Sequence, residues 1–160
     1  MGRFLGIDYG TKRIGLAISD ETGQIAFPLC VLENSGQRRV AVEISGIVGE
    51  RKVGALVLGL PLSLDGSKGI AADNVEHFAD ILKQYISIPV EFWDERLSTR
   101  MAERAMIEGG LSRSRRKQSI DQATAQIILQ SYLDAHAKQT VHGSVVQGSG
   151  LEDSEEQVRI

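Results

Sequence analysis

Residues 4–17 hold two apolar runs separated by a short polar turn, and this pattern constrains the fold more than any other stretch. The first run carries one carboxylate, Asp8, and the turn spans residues 10–12. Apolar runs joined by a tight turn predict two strands, over 3–9 and 13–19. Aspartate is depleted in strands, and an unpaired buried carboxylate is costly. Asp8 therefore either bonds its own turn at a strand end or faces a cationic partner such as a metal ion.

The rest of the chain alternates between helical and extended patterns. The predicted elements are strands over 3–9, 13–19, 24–32, 54–60 and 89–95, and helices over 37–51, 70–86, 98–107 and 119–138. Three antiparallel strands followed by βαβ units predict an α/β fold, a mixed sheet with helices on both faces. Residues 54–60 are wholly apolar, as is typical of a strand buried on both faces. Asp8 is expected on a central strand.

The third predicted strand, over 24–32, has a period of two. Its alternating apolar side chains are predicted to lie on one face of the strand; they are Ile25, Phe27, Leu29 and Val31. The single cysteine, Cys30, lies in the same run. A lone cysteine excludes a disulfide within the chain, and we expect a buried, reduced thiol.

Composition indicates one domain with a polar tail. The chain has 160 residues and a net charge of −3, which is in the range of a single domain. Residues 100–117 form a basic segment of net charge +4, which suits either a solvated face or a phosphate backbone. Residues 139–160 are polar and acidic without periodicity, so we expect a domain over 1–138 and a disordered tail over 139–160.

Three carboxylates are predicted at the ends of elements. Asp8 is on the first strand, Glu95 ends the last strand, and Asp121 is in the first turn of the last helix. Ligands in open α/β sheets bind at the carboxyl ends of strands, and converging acids repel one another unless a cation holds them. Mg²⁺ suits such a set, and two ions about 4 Å apart are suited to phosphoryl displacement. Spacing alone leaves open helix-dipole and surface ion-pair roles for Asp121 and Glu95.

Four cationic side chains flank these acids in the sequence. Lys12 and Arg13 follow Asp8 in the first turn, where they would meet a phosphate or remain solvated. Arg96 and Arg100 follow Glu95, where they would line a substrate path or pair with nearby acids.

The motifs together resemble the YqgF family, whose members are described as Holliday junction resolvases or as nucleases of the 16S ribosomal RNA precursor. The resemblance covers residues 3–136 and is carried by residues 6–17, 59–61 with 65–67, 94–99 and 121–123. It implies a ribonuclease H-like fold and a metal-dependent acidic triad. That triad falls on Asp8, Glu95 and Asp121, the acids that the element ends already single out.

The resemblance implies a phosphodiester-cleaving hydrolase that uses Mg²⁺ or Mn²⁺, with two ions expected. We expect it to process the 5′ end of the 16S ribosomal RNA precursor in the cytoplasm, with no membrane partner. The alternatives are a resolvase of branched DNA, for which a homodimer is expected, and a non-catalytic RNA- or ribosome-binding module. A sugar-kinase-like ATPase shares the first motif, but such enzymes need a second domain for which 160 residues leave little room.

Overall fold

The computed structural model describes residues 2–96 and 123–137 of the chain. The strands are β1 (Arg3–Tyr9), β2 (Arg13–Ser19), β3 (Ala26–Glu33), β4 (Val53–Leu60) and β5 (Val90–Asp94), and the helices are α1 (Gln37–Glu50), α2 (Ile70–Leu82) and α3 (123–137). The helix predicted over 98–107, the basic segment over 100–117 and the tail over 139–160 include residues outside the described part. None of the described helices is long and apolar enough to cross a membrane.

The five strands form one mixed sheet in the order β3-β2-β1-β4-β5. β2 is antiparallel to both β1 and β3, whereas β4 runs parallel to both β1 and β5. The prediction of a mixed sheet with a central first strand is confirmed. Because β1, β4 and β5 are parallel, their carboxyl ends meet at one edge of the sheet.

Helices cover both faces of this sheet. One face packs on α1 and α2 around Ile14, Ile44 and Phe78, none of which has any solvent-exposed surface. The other face packs on α3, through a cluster that includes Val57 and Leu129. β4 contributes to both layers, so the prediction of a strand buried on both faces is confirmed.

A glycine lets α3 approach the centre of the sheet closely. A Cβ added to Gly6 would lie 2.8 Å from Leu129 Cβ and 3.1 Å from the carbonyl oxygen of Ala125. Such contacts are too short for any other residue without movement of the helix, so α3 rests directly on the β1 backbone. The start of α3 is thereby held next to the carboxyl end of β1.

The prediction that the alternating apolar side chains of β3 share one face is wrong. Ile25, Phe27 and Val31 are 52%, 49% and 60% exposed, and Cys30 is exposed rather than buried. A register shift in the β2–β3 pairing breaks the alternation: Phe27 lies opposite Ile18, but Val31 lies opposite Gly15, on the other face. β3 is also an edge strand, and a period of two does not reveal whether a helix covers the strand.

Candidate active site

Asp8 lies near the carboxyl end of β1 with a glycine beside it on each neighbouring strand. In β2 its partner is Gly15, and the Cβ of Asp8 is 3.8 Å from the Cβ that Gly15 lacks. In β4, Leu58 lies opposite Ile7, which places Gly59 next to Asp8 one residue further along both strands. Asp8 is partly buried on the face that α3 covers. The two glycines therefore leave space on both sides of its carboxylate.

Glu95 fills the space on the Gly59 side. Glu95 directly follows β5, and a Cβ added to Gly59 would lie 2.6 Å from Glu95 Oε2 and 2.5 Å from Ile128 Cδ1. The carboxyl group therefore lies over the β4 backbone and next to α3, with no room for a side chain beneath it. β4 separates Asp8 from Glu95, and the fold brings these two predicted acids to the same edge of the sheet.

The environment of Glu95 favours its protonated form. The pKa of the Glu95 carboxyl is raised from its ordinary 4.5 to about 7, first by burial and then by the negative charges of Asp8 and Asp94. A nearby divalent cation would offset the repulsion between these carboxylates, and carboxylate oxygens are the ligands that Mg²⁺ prefers. The donor set that the structure describes therefore fits a hard metal ion.

Arg96 ties the end of β5 to the loop that follows β4. Its Nη2 donates to Asp94 Oδ2 at 2.6 Å, its Nε donates to both oxygens of Asp94, and its Nη1 donates to the carbonyl oxygens of Ser63 and Leu64 at 3.3 and 3.0 Å. Every nitrogen of the guanidinium thus has a protein partner, so a positioning role fits Arg96 better than the predicted contact with substrate. Glu95 lies between Asp94 and Arg96 in the chain, so the ion pair of these two residues restrains the backbone on both sides of Glu95.

Lys12, in the turn between β1 and β2, and Arg13, the first residue of β2, are both exposed. Together with Asp8 they border a groove of about 500 Å³ on the face that carries α3. The far end of the groove is formed by β3, including Val31, and one wall by the first residues of α3, including Gln126. The groove therefore runs from the candidate site across β2 to the edge of the sheet, with both cations at its rim.

Two predicted site residues, Asp121 and Arg100, lie outside the described residues. Within 2–96 and 123–137, no group of three histidine, cysteine or acidic side chains is placed to hold a metal ion. The described part of the site thus consists of the two carboxylates Asp8 and Glu95.

Sequence reasoning missed the two glycines that shape the site. Gly15 and Gly59 each interrupt an apolar strand run, and such isolated glycines often mark a close approach to a ligand or another backbone. Trp93 belongs to the packing of the molecule: its Nε1 donates to Ser131 Oγ at 3.0 Å, and its ring meets Tyr132 edge-on.

Comparisons with known proteins show which family and which fold the chain is similar to. The family model described as "RuvX: Holliday junction resolvase" matches residues 2–135. A protein of Myxococcus xanthus named "Putative pre-16S rRNA nuclease" is 44% identical over 134 residues, which are 84% of this chain and 89% of that protein. A protein of the same name from Syntrophomonas wolfei is 44% identical over 132 residues, covering 82% of this chain and 94% of the relative.

Among solved structures, the fold is similar to that of RuvC from T. thermophilus, solved in complex with a Holliday junction substrate. The TM-score is 0.56 at 17% sequence identity, over 86% of this chain and 96% of RuvC. This likeness confirms the predicted ribonuclease H-like α/β architecture.

Proposed function

The chain belongs to the RuvX family, whose members are nucleases that hydrolyse phosphodiester bonds, and we propose that its substrate is the precursor of 16S ribosomal RNA. The observation that carries the site is the convergence of Asp8 and Glu95 at the carboxyl edge of the sheet, with a glycine between them. The proposed substrate is supported by the names of the relatives at 44% identity. With this substrate we also propose a cytoplasmic location.

We assign metal binding to Asp8, Glu95 and Asp121. Burial, and after it the negative charges of Asp8 and Asp94, raise the pKa of Glu95, and this repulsion between carboxylates supports a cation between the first two acids. Asp121 precedes the described start of α3 by two residues, and α3 begins beside the carboxyl end of β1, which supports its place as the third ligand. Divalent Mg²⁺ or Mn²⁺, with two ions in our proposal, supplies charge against the phosphate and a means of activating water.

The chain's own cations hold the substrate in this proposal. Lys12 and Arg13 lie at the rim of the groove that Asp8 borders, where each can contact a phosphate oxygen. Arg100 is proposed as a further phosphate contact. Arg96 instead holds Glu95 in place, because its nitrogens are committed to Asp94 and the β4–α2 loop.

A second candidate substrate is branched DNA, which the family description favours. Resolution of a four-way junction requires two paired cuts and therefore two active sites. A stable homodimer of this chain, measured by analytical ultracentrifugation, would favour that substrate, and a strict monomer would favour RNA.

A cleavage assay tests the function and the acids together. The substrates are a single-stranded RNA spanning the 5′ end of mature 16S RNA, the matched single-stranded DNA and a four-way DNA junction, each with Mg²⁺, Mn²⁺ or EDTA. We expect metal-dependent cutting of the RNA. Asp8→Asn should lower the rate by more than about a hundredfold, because even outer-shell changes at metal sites cost 10- to 100-fold.

The matched control is Asp80→Asn, which changes an exposed aspartate on α2 away from the site. It should leave the rate unchanged, and both variants should keep the wild-type far-ultraviolet circular dichroism. Full activity in Asp8→Asn would refute the assignment of the acids. Cutting of the junction alone would refute the RNA substrate, and no cutting of any substrate would favour the binding module.

A further inference from the structure

One row of residues crosses the sheet from the candidate active site to its edge. Asp8 on β1 lies opposite Gly15 on β2, and Gly15 lies opposite Val31 on β3. Paired residues share a face, so the side chains of Asp8 and Val31 both stand on the α3 side, about 10 Å apart across two strand spacings. Gly15 between them has no side chain, and Ala125 of α3 lies next to it, its Cβ 3.6 Å from where a Gly15 Cβ would be, so α3 forms one wall of the groove.

The two ends of this row differ in chemistry. At one end the carboxylate of Asp8 is bordered by the cations Lys12 and Arg13. At the other end Pro28 and Val31 present apolar surface, and Val31 is 60% exposed. A nucleotide has the matching division, because its phosphate is anionic whereas the face of its base is apolar and polarizable.

We propose that the groove between Asp8 and β3, beside the start of α3, is a binding subsite for one unpaired nucleotide next to the scissile phosphate, with its base packed on Val31 and Pro28. This inference rests on the proposed nuclease function and adds to it the requirement that the substrate be unpaired at this position. Bases within a duplex stack on one another and do not present a face to the protein, whereas an unpaired base can be turned onto an apolar surface.

A second copy of the chain is the other occupant that an edge strand invites. Pro28 lies within β3 and lacks a backbone N–H, so the strand has one donor fewer to offer to a further strand. The groove is also continuous with Asp8 and is bordered by two cations, which suits a polyanion better than an added strand. These observations favour the nucleotide.

The test compares two matched variants, Val31→Asp in the groove and Val42→Asp on α1. Val42 is 53% exposed and lies away from the groove, so the second variant repeats the change of residue and charge without touching the proposed subsite. Three fluorescein-labelled probes are compared. They are a single-stranded oligoadenylate of ten nucleotides, an abasic ribose-phosphate oligomer of the same length, and the oligoadenylate in a duplex with its complement. Affinity is measured by fluorescence anisotropy in EDTA, and KM and kcat are measured separately with Mg²⁺ on the RNA substrate.

We expect wild type and Val42→Asp to prefer unpaired oligoadenylate over both other probes. Val31→Asp should lose about tenfold in affinity for unpaired oligoadenylate and raise KM with little change in kcat, because the removed contact serves binding. Equal affinities in the two variants would overturn the subsite, as would a change of oligomeric state in Val31→Asp without a change in RNA binding. Loss of binding in Val31→Asp alone would support the subsite, even if wild type cut no RNA. The absence of cutting by wild type would refute only the proposed function.

Discussion

Replacing Glu95 with glutamine should stabilise the metal-free protein at alkaline pH. The structure partly buries the Glu95 carboxyl beside Asp8 and Asp94, and its pKa rises from 4.5 to about 7. A carboxyl whose pKa is higher in the folded than in the unfolded protein makes folding less favourable once it must ionise. Glutamine has nearly the same shape as the protonated acid and never ionises, so the substitution removes this cost.

The size of the effect follows from the shift. Below pH 4.5 the carboxyl is protonated in both states and costs nothing. Between pH 4.5 and 7 the unfolded chain ionises first, so the folded state holds more protons and stability falls as pH rises. Above pH 7 the full cost is reached, and a shift from 4.5 to about 7 corresponds to about 3 kcal/mol in the free energy of unfolding.

The measurement is urea denaturation in EDTA at pH 5 and pH 8, for wild type, Glu95→Gln and a control. We expect Glu95→Gln to exceed wild type by about 3 kcal/mol at pH 8 and by less than about 1 kcal/mol at pH 5. The control is Glu43→Gln, at an exposed position on α1, which should match wild type at both values. Adding Mg²⁺ at pH 8 should stabilise wild type more than Glu95→Gln, because a ligand stabilises only the state that binds it.

The reasoning would be refuted by an equal gain for Glu95→Gln at both pH values, since such a gain cannot come from ionisation. A loss of stability at pH 8 would also refute it, because the ionised carboxylate would then be favourably solvated or paired in the metal-free protein. In either case the argument that a cation relieves repulsion at this edge would lose its physical basis.

Three further predictions concern the groups around the site. Gly59→Ala should lower the free energy of unfolding by about 1–3 kcal/mol in urea and slow RNA cleavage by more than tenfold, because its methyl group would overlap the Glu95 carboxyl; wild-type activity would show that Glu95 need not lie there. Arg96→Lys should slow cleavage about tenfold, with faster amide exchange in the β4–α2 loop and a change in stability below about 1 kcal/mol; unchanged exchange would show that Arg96 does not hold the loop. Gly6→Ala should cost about 1–3 kcal/mol in thermal or urea unfolding, since Leu129 lies 2.8 Å from the added Cβ, and a neutral result would mean that α3 adjusts freely.

The sequence predicted the strands well because their pattern is set by burial. The predicted bounds of the first two strands, 3–9 and 13–19, agree with β1 and β2, and the apolar run at 54–60 is the buried strand β4. Periodicity failed on β3, where a register shift moves successive apolar residues to opposite faces. A bulge depends on the partner strand, so no pattern within β3 alone could reveal it.

The candidate site was predicted in part for a similar reason. Asp8 and Glu95 could be named because each ends a predicted strand, and parallel strands bring their ends together. The partners of Arg96 could not be named, because the carbonyl oxygens of Ser63 and Leu64 meet it only through the tertiary fold. The exposure of the β3 side chains, the hydrogen bonds of Arg96 and the raised pKa of Glu95 all depend on contacts between elements that lie far apart in the chain.

Several residues around Asp8 are of types that do not stabilise the fold by themselves. Glycine within a strand weakens it, yet Asp8 has a glycine on both sides, Gly15 and Gly59. A buried carboxyl beside other carboxylates adds a further cost, and Glu95 occupies that position. A Cβ at Gly59 would lie 2.6 Å from Glu95 Oε2 and 2.5 Å from Ile128 Cδ1, so this glycine makes room for the Glu95 carboxyl and for α3 alike. A Cβ at Gly15 would make only ordinary contacts, 3.6 Å from Ala125 Cβ and 3.8 Å from Asp8 Cβ, so packing does not require this glycine. Its presence is accounted for if it makes room for substrate, since departures from good packing concentrate at functional sites.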